Sequence, residues 1–183
     1  MGRIIFITGG ARSGKSRWAE ELARKMGGDI GYVATAIAFD DEMKDRIAKH
    51  RQDRPPGWRT WETYKDVYKI YDQFEGQRGI LIDCITIMVS NLLLDMEATD
   101  DGTMAWVDRA EACITDQVQA LIKAAKAADV TTIMVSNEVG LGLVPDNRLG
   151  RVFRDIAGRV NQIIAAAADD VYFVVSGIPM KIK

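Results

Sequence analysis

The chain reads Gly9-Gly10-Ala11-Arg12-Ser13-Gly14-Lys15-Ser16 directly after the apolar run Ile4-Ile5-Phe6-Ile7. The spacing G-x-x-x-x-G-K-S is typical of a phosphate-binding loop, in which successive backbone N–H groups wrap around the phosphates of a nucleotide. Its glycines permit turns and close approaches that a Cβ atom would block. Lys15 can reach the β and γ oxygens, and the Ser16 hydroxyl can hold Mg²⁺. The segment therefore predicts a site for a nucleoside triphosphate.

The segments on either side of this loop favour a strand and a helix. The residues before it are apolar and largely β-branched, which predicts a strand. Trp18, Leu22 and Met26 recur every four residues, which predicts a helix over residues 17–26. A bound anion would then lie at a helix N-terminus, where unpaired N–H groups and the helix dipole favour negative charge. This context makes a chance match to the motif a poor alternative.

Composition and charge favour one domain that binds small molecules. The 183 residues are 48% apolar, so residues 1–183 are expected to form a single domain around one core. A net charge of -2 gives no reason to expect affinity for nucleic acid or for an anionic membrane surface. The apolar runs do not suggest membrane insertion or a signal peptide, so we expect a cytoplasmic protein. Cys84 and Cys113 lie far apart, which argues against a zinc site or a disulfide framework.

The rest of the chain alternates between strand and helix patterns. Strands are predicted at 30–34, 58–62, 79–83, 130–135 and 171–175, and helices at 40–51, 67–74, 103–128 and 147–168. An apolar segment at 84–94, an acidic loop at 96–102 and a glycine-containing loop at 137–146 connect them. This alternation predicts a parallel α/β sheet, with ligands at the carboxyl ends of its strands. Segments 9–16, 35–41 and 137–142 should therefore meet there with Asp83.

Two carboxylates follow predicted strands. Asp83 comes after four apolar residues, where an acidic residue can hold Mg²⁺ directly or through water and complement Ser16. A helix-capping role for Asp83 is the structural alternative. Glu138 is a second candidate metal ligand or base, and a solvated loop charge is an equally good interpretation of it.

His50 is the one histidine of the chain. Arg46, Lys49, Arg51 and Arg54 surround it in sequence, and nearby cations favour the neutral, nucleophilic imidazole. The same cations can bind nucleotide phosphates. A solvated basic helix end is the alternative, and it is favoured by spacing alone.

Three arginines recur at every third position after the loop 137–146. Arg148, Arg151 and Arg154 would lie along one side of a helix as a possible anion-binding ridge. A solvated stripe, or one paired by salt bridges between subunits, is the better interpretation from periodicity alone.

An ordered set of motifs resembles one enzyme family over nearly the whole chain. Besides the loop with Thr8, these motifs are Tyr32-Val33-Ala34-Thr35-Ala36, Asp40-Asp41-Glu42-Met43, Arg46-Ile47, His50-Arg51, Arg54-Pro55, Trp58-Arg59-Thr60 with Glu62, Asp83-Cys84-Ile85-Thr86, Ser136-Asn137-Glu138-Val139-Gly140, Val144-Pro145 with Asn147-Arg148, residues 153–161, Val175-Ser176-Gly177 and Lys181-Ile182-Lys183. The set resembles the bifunctional adenosylcobinamide kinase / adenosylcobinamide-phosphate guanylyltransferase family of cobalamin biosynthesis.

This resemblance implies an enzyme with two steps. The kinase would phosphorylate adenosylcobinamide with ATP or GTP. The transferase would then move GMP from GTP to adenosylcobinamide phosphate, giving adenosyl-GDP-cobinamide and pyrophosphate. His50 resembles the residue that becomes transiently guanylylated, with Lys15 as the second catalytic residue.

The resemblance also implies a nucleotide site, a magnesium site and an assembly. Nucleotide contacts would fall on Gly9, Gly10, Ala11, Arg12, Ser13, Gly14, Lys15, Ser16, Ala34, Thr35, Ala36, Arg51, Gln52, Asp53, Arg54, Glu62 and Asp83. Ser16 and Asp83 would hold Mg²⁺; the family often has glutamate where this chain has Asp83. The family is similar to P-loop NTPases of the RecA-like type, with a mostly parallel sheet in a three-layer fold, and assembles as homotrimers.

Two other functions remain open at this stage. One is a simple P-loop kinase of small molecules, in which His50 is structural. The other is a nucleotide-dependent switch protein, which would hydrolyse its nucleotide slowly and change shape.

Overall fold

The computed structural model describes residues 1–37, 57–74 and 76–183. The helix predicted at 40–51, with His50, and the candidate contacts at 51–54 lie outside the described residues.

In the described ranges, seven strands form one sheet. They are β1 (Arg3–Gly9), β2 (Ile30–Ala34), β3 (Arg59–Glu62), β4 (Gly79–Asp83), β5 (Thr131–Asn137), β6 (Asp170–Val175) and β7 (Ile178–Lys181). Their order across the sheet is β3-β2-β4-β5-β1-β6-β7. Neighbours pair in parallel except β6 and β7, which pair antiparallel. The sheet is therefore mostly parallel, as the alternating pattern predicts.

Helices cover both faces of this sheet. They are α1 (Lys15–Met26), α2 (Ile85–Glu97), α3 (Met104–Ala127) and α4 (Arg148–Ala167), with a 3-10 helix at Val67–Gln73. Alternate side chains of β1 point to opposite faces: Ile5 and Ile7 pack in a cluster with Ala19 of α1, whereas Ile4 and Phe6 pack in the cluster that includes the other helices. The result is three layers, with β1, β4 and β5 buried on both faces.

The structure differs from the sequence prediction in three elements. The segment predicted as a helix at 67–74 forms a 3-10 helix, and the unassigned apolar segment 84–94 forms most of α2. Neighbouring elements bury α2 around most of its circumference, and its residues are mostly apolar there. The sequence therefore lacks the helical period that an amphipathic helix shows. β7 was not predicted. It has four residues and contains Pro179, which an edge strand tolerates and a central strand does not.

Candidate functional site

The loop between β1 and α1 depends on glycine at two positions. Gly14 precedes α1 with φ 91°, in the left-handed region that glycine enters without steric cost. A Cβ atom at Gly9 would lie 2.5 Å from the carbonyl oxygen of Val174 in β6, too close for any other residue. The turn between β6 and β7 also supports the loop, because the Gly177 N–H donates to the Ser13 carbonyl oxygen at 2.8 Å. The phosphate loop is thus held against the sheet and against the β6–β7 turn.

Lys15 is the buried cation of this loop. The residue is 7% exposed, and its Nζ donates to the Gly10 carbonyl oxygen at 3.1 Å. Burial lowers the pKa of Lys15 because it penalises the charged ammonium, and the nearby Asp83 carboxylate opposes this shift. An anion bound in the loop would add negative charge beside the ammonium. The arrangement therefore favours binding of a phosphate group.

Ser16 and Asp83 meet at the start of α1 and the end of β4. Ser16 Oγ lies 3.4 Å from Asp83 Oδ1, and the Tyr32 hydroxyl donates to Asp83 Oδ2 at 3.0 Å. Mg²⁺ prefers oxygen ligands and is usually held by one or two carboxylates together with substrate phosphates and water. A hydroxyl and a carboxylate side by side at a phosphate loop fit this ion. The described ranges contain no cluster of three or more His, Cys, Asp or Glu side chains that could hold a metal.

Thr35 ties the ends of two strands together. It is fully buried directly after β2, and its Oγ1 donates to the Cys84 carbonyl oxygen at 2.7 Å. Thr35 Oγ1 also accepts from the Cys84 N–H at 2.9 Å, and the Thr35 carbonyl oxygen accepts from Asn91 Nδ2 at 2.9 Å. Although the resemblance places Thr35 among the nucleotide contacts, its side chain is occupied inside the protein. It supports the chain next to Asp83.

The other described candidates lie at the same edge of the sheet. Ala34 is opposite Asp83 in the pairing of β2 with β4 and opposite Glu62 in the pairing of β2 with β3. Ala36 is half-buried and Glu62 is exposed. The carboxyl ends of β1, β2, β3 and β4 therefore bring the described candidates to one edge, as expected of a parallel sheet.

Glu138 lies beside the phosphate loop but uses its carboxylate locally. Its N–H donates to the Gly9 carbonyl oxygen at 2.9 Å, so the chain leaving β5 runs next to the start of the loop. Its Oε1 accepts from the Gly140 N–H at 2.6 Å. This bond closes a turn, which supports the structural interpretation of Glu138 over a metal ligand.

The three arginines at the start of α4 each contact their own chain. Arg148 pairs with Asp100, and its Nη2 donates to the Thr103 carbonyl oxygen at 3.0 Å. Arg151 donates to two backbone carbonyl oxygens of the preceding loop, and Arg154 pairs with Asp155 at 3.1 Å. These contacts fit the structural interpretation of the arginine series better than an anion-binding ridge.

Comparison with known families decides among the functions that such a site can serve. A family model described as "Cobinamide kinase / cobinamide phosphate guanyltransferase" matches residues 5–182. The chain belongs to this family. The match includes the phosphate loop, Asp83 and the segment with His50, and it identifies the chain as an enzyme of the kinase and guanylyltransferase type.

Curated relatives agree with the family match over nearly their full length. The chain is 46% identical to the bifunctional adenosylcobalamin biosynthesis protein CobU of Escherichia coli, over 98% of this chain and 99% of the relative. It is 47% identical to the CobU of Salmonella typhimurium, with the same coverage. The CobP protein of Pseudomonas aeruginosa is 42% identical, over 97% of this chain and 95% of the relative. The resemblance drawn from the motifs is confirmed.

Among solved structures, an ATPase from a bacterial type III secretion system shares the fold. The alignment has a TM-score of 0.61 at 12% identity and covers 94% of this chain and 51% of that chain. The fold is thus that of P-loop NTPases of the RecA-like type. None of the helices within residues 1–37, 57–74 and 76–183 combines the length and the apolar character of a membrane-spanning segment.

Three motifs of the family meet in a buried hydrogen-bond ring behind the phosphate loop. The Thr86 and Ser136 hydroxyls lie 2.9 Å apart, and Ser136 Oγ donates to Asn161 Oδ1 at 2.7 Å. Asn161 Nδ2 donates to the Asn137 carbonyl oxygen at 3.0 Å, and the Asn137 N–H donates to Thr86 Oγ1. The ring fixes the end of β5, which is paired with Gly9. The motifs contained these residues, but their mutual contact depends on the fold.

Proposed function

We propose that the chain phosphorylates adenosylcobinamide with ATP or GTP and then transfers GMP from GTP to adenosylcobinamide phosphate through a guanylylated His50. The products are adenosyl-GDP-cobinamide and pyrophosphate. The observation that carries the proposal is the Lys15, Ser16 and Asp83 cluster in a chain that matches the bifunctional family over residues 5–182. We propose that residues 1–183 act as one catalytic domain in the cytoplasm and assemble as a homotrimer.

In the kinase step, the phosphate loop holds the triphosphate and Lys15 stabilises its transferring end. The acceptor hydroxyl attacks the γ-phosphorus and gives up its proton to water, the bond to the β–γ bridging oxygen breaks, and a nucleoside diphosphate leaves. Ser16 and Asp83 would hold Mg²⁺, which neutralises phosphate charge when bound. The buried Lys15 ammonium faces charge that develops on the phosphates, and its burial strengthens that interaction.

In the guanylyl step, the same loop holds the leaving group. The neutral imidazole of His50 attacks the α-phosphorus of GTP, the bond from that phosphorus to the α–β bridging oxygen breaks, and pyrophosphate leaves while Lys15 stabilises its charge. A phosphate oxygen of adenosylcobinamide phosphate then attacks the same phosphorus and releases His50. The remaining proposed nucleotide contacts are Ala34, Ala36, Glu62 and residues 51–54, while the Thr35 side chain supports the chain next to Asp83.

Labelled GTP tests this sequence of steps. With GTP labelled at the α-phosphate, we expect protein-bound label that is acid-labile and base-stable, as a phosphoramidate is. Because the chain has one histidine, a histidine adduct can form only on His50. His50→Ala should lose the protein-bound label but still transfer the γ-phosphate of labelled ATP to adenosylcobinamide. Equal labelling of His50→Ala and the wild type would refute the proposed intermediate.

The same assays separate the two other functions. A simple kinase would transfer γ-phosphate to adenosylcobinamide but release no pyrophosphate when given GTP and adenosylcobinamide phosphate. A switch protein would hydrolyse its nucleotide slowly, whether or not a cobinamide is present.

A further inference from the structure

Tyr32 presents a buried hydroxyl to the candidate magnesium site. It lies on β2, is 2% exposed, and points to the face of the sheet that α1 covers. Its hydroxyl donates to Asp83 Oδ2 at 3.0 Å. The other carboxylate oxygen, Oδ1, is the one beside Ser16 Oγ. The two oxygens of Asp83 thus have different partners.

This bond limits how the Asp83 carboxylate can turn. An aspartate side chain has a broad torsion about its terminal bond, so a free carboxylate would rotate and present either oxygen. A fixed donor on Oδ2 keeps Oδ1 on the Ser16 side. Buried hydroxyls are normally hydrogen-bonded, and a phenylalanine would fill most of the same space without directing the carboxylate.

We propose that Tyr32 is a positioning residue that orients Asp83 so that Oδ1 faces the metal held by Ser16. The inference rests on the proposed function in one respect, the use of Mg²⁺ at Ser16 and Asp83. Tyr32 touches neither nucleotide nor metal in this assignment; it acts through Asp83, as residues around metal ligands commonly do.

The test is the dependence of nucleotide affinity on Mg²⁺ in Tyr32→Phe. A fluorescent GTP analogue is titrated into the protein with Mg²⁺ and, separately, with EDTA. Loss of an outer partner of a metal ligand typically weakens metal affinity about tenfold or more. We therefore expect the gain in affinity that Mg²⁺ provides to fall about tenfold in Tyr32→Phe, with the affinity in EDTA unchanged.

Tyr172→Phe is the matched control. Tyr172 belongs to the same side of the sheet, where its ring packs on Trp18 at 4.6 Å between centroids. Removing its hydroxyl should change neither affinity. Asp83→Ala should lose the Mg²⁺ effect, and adding Tyr32→Phe to it should cause no further loss.

Each alternative result has a definite meaning. If Mg²⁺ raised the nucleotide affinity of Tyr32→Phe as much as it raises that of the wild type, the role of Tyr32 would be overturned and the magnesium site would stand. An equal loss of nucleotide affinity in Mg²⁺ and in EDTA would show general damage to the site and would also overturn it. The role would likewise be overturned if Tyr32→Phe weakened nucleotide affinity further in the Asp83→Ala background. No Mg²⁺ effect in the wild type would instead overturn the magnesium site itself.

Discussion

At the scale of single residues, Lys15 holds a positive charge where little water reaches it. Its ammonium has a carbonyl partner in Gly10 and a carboxylate nearby in Asp83. Burial lowers its pKa, so the charged form is less stable here than in water. A bound triphosphate supplies several negative oxygens, which would stabilise the charged ammonium. We therefore expect Lys15 to serve both proposed transfers, because each would develop negative charge on the phosphates of the loop.

We expect Lys15→Ala to slow both transfers about a hundredfold or more, the size of effect seen when one donor to a developing charge is removed. The measurement is transfer of γ-label from ATP to adenosylcobinamide and of α-label from GTP to adenosylcobinamide phosphate.

Lys25→Ala is the matched control, because Lys25 is an exposed lysine in the last turn of the same helix. It should leave both rates near wild type. Normal kinetics for either transfer in Lys15→Ala would mean that the two steps do not share this loop.

At the scale of elements, helix α4 is capped at both ends by residues that the family motifs contain. Asn147 precedes α4, and its Oδ1 accepts from the Gly150 N–H at 2.6 Å. At the other end, Lys183 Nζ donates to the carbonyl oxygens of Ala165, Ala166 and Ala168 at 2.7 to 3.1 Å. A cation at the C-terminal end of a helix also interacts favourably with its dipole. Both motif residues therefore have structural roles.

Removing the N-terminal cap should lower the stability of the protein but leave both transfer rates unchanged. Asn147→Ala removes the acceptor of the Gly150 N–H and should lower the free energy of unfolding by about 1 kcal/mol, measured by urea denaturation. Asn147→Asp keeps an acceptor and should recover most of the loss. A drop in transfer rates without a loss of stability would show that Asn147 acts in the site instead.

At the scale of the whole molecule, Asp170 joins β1, β6 and β7 at one edge of the sheet. It is buried at the start of β6, and it pairs with Arg3 of β1 and with Lys181 of β7. The hydrogen bond from Lys181, with the one from Arg3, lowers the pKa of Asp170 below its ordinary value of 3.8. A carboxyl group with a depressed pKa stabilises the fold above its unfolded-state pKa. That stabilisation is lost as the pH falls through the folded-state pKa.

We therefore expect stability to fall below pH 4, and to fall less in Asp170→Asn, which has no charge to lose. Urea denaturation at a series of pH values from 7 downward measures this. Asp129→Asn changes a fully exposed aspartate and should behave like the wild type. An equal acid-induced loss in Asp170→Asn and the wild type would contradict the assignment.

Local patterns were enough to predict the loop at 9–16, the strand before it and Asp83 at the end of a buried strand. Each depends on residues close together in sequence, where spacing reports directly on backbone geometry and burial. The parallel sheet and the meeting of strand ends followed from the alternation of strands and helices.

The partners of individual side chains were not predictable in this way. The sequence placed Thr35, Glu138 and the arginine series among candidates, and the fold gave each of them contacts within the protein. Tyr32 and Asp83 are 51 positions apart, and they meet only because β2 and β4 are neighbours in the sheet. Hydrogen bonds reach about 3 Å, so they depend on strand order and register, and a pattern of nearby residues carries little information about either.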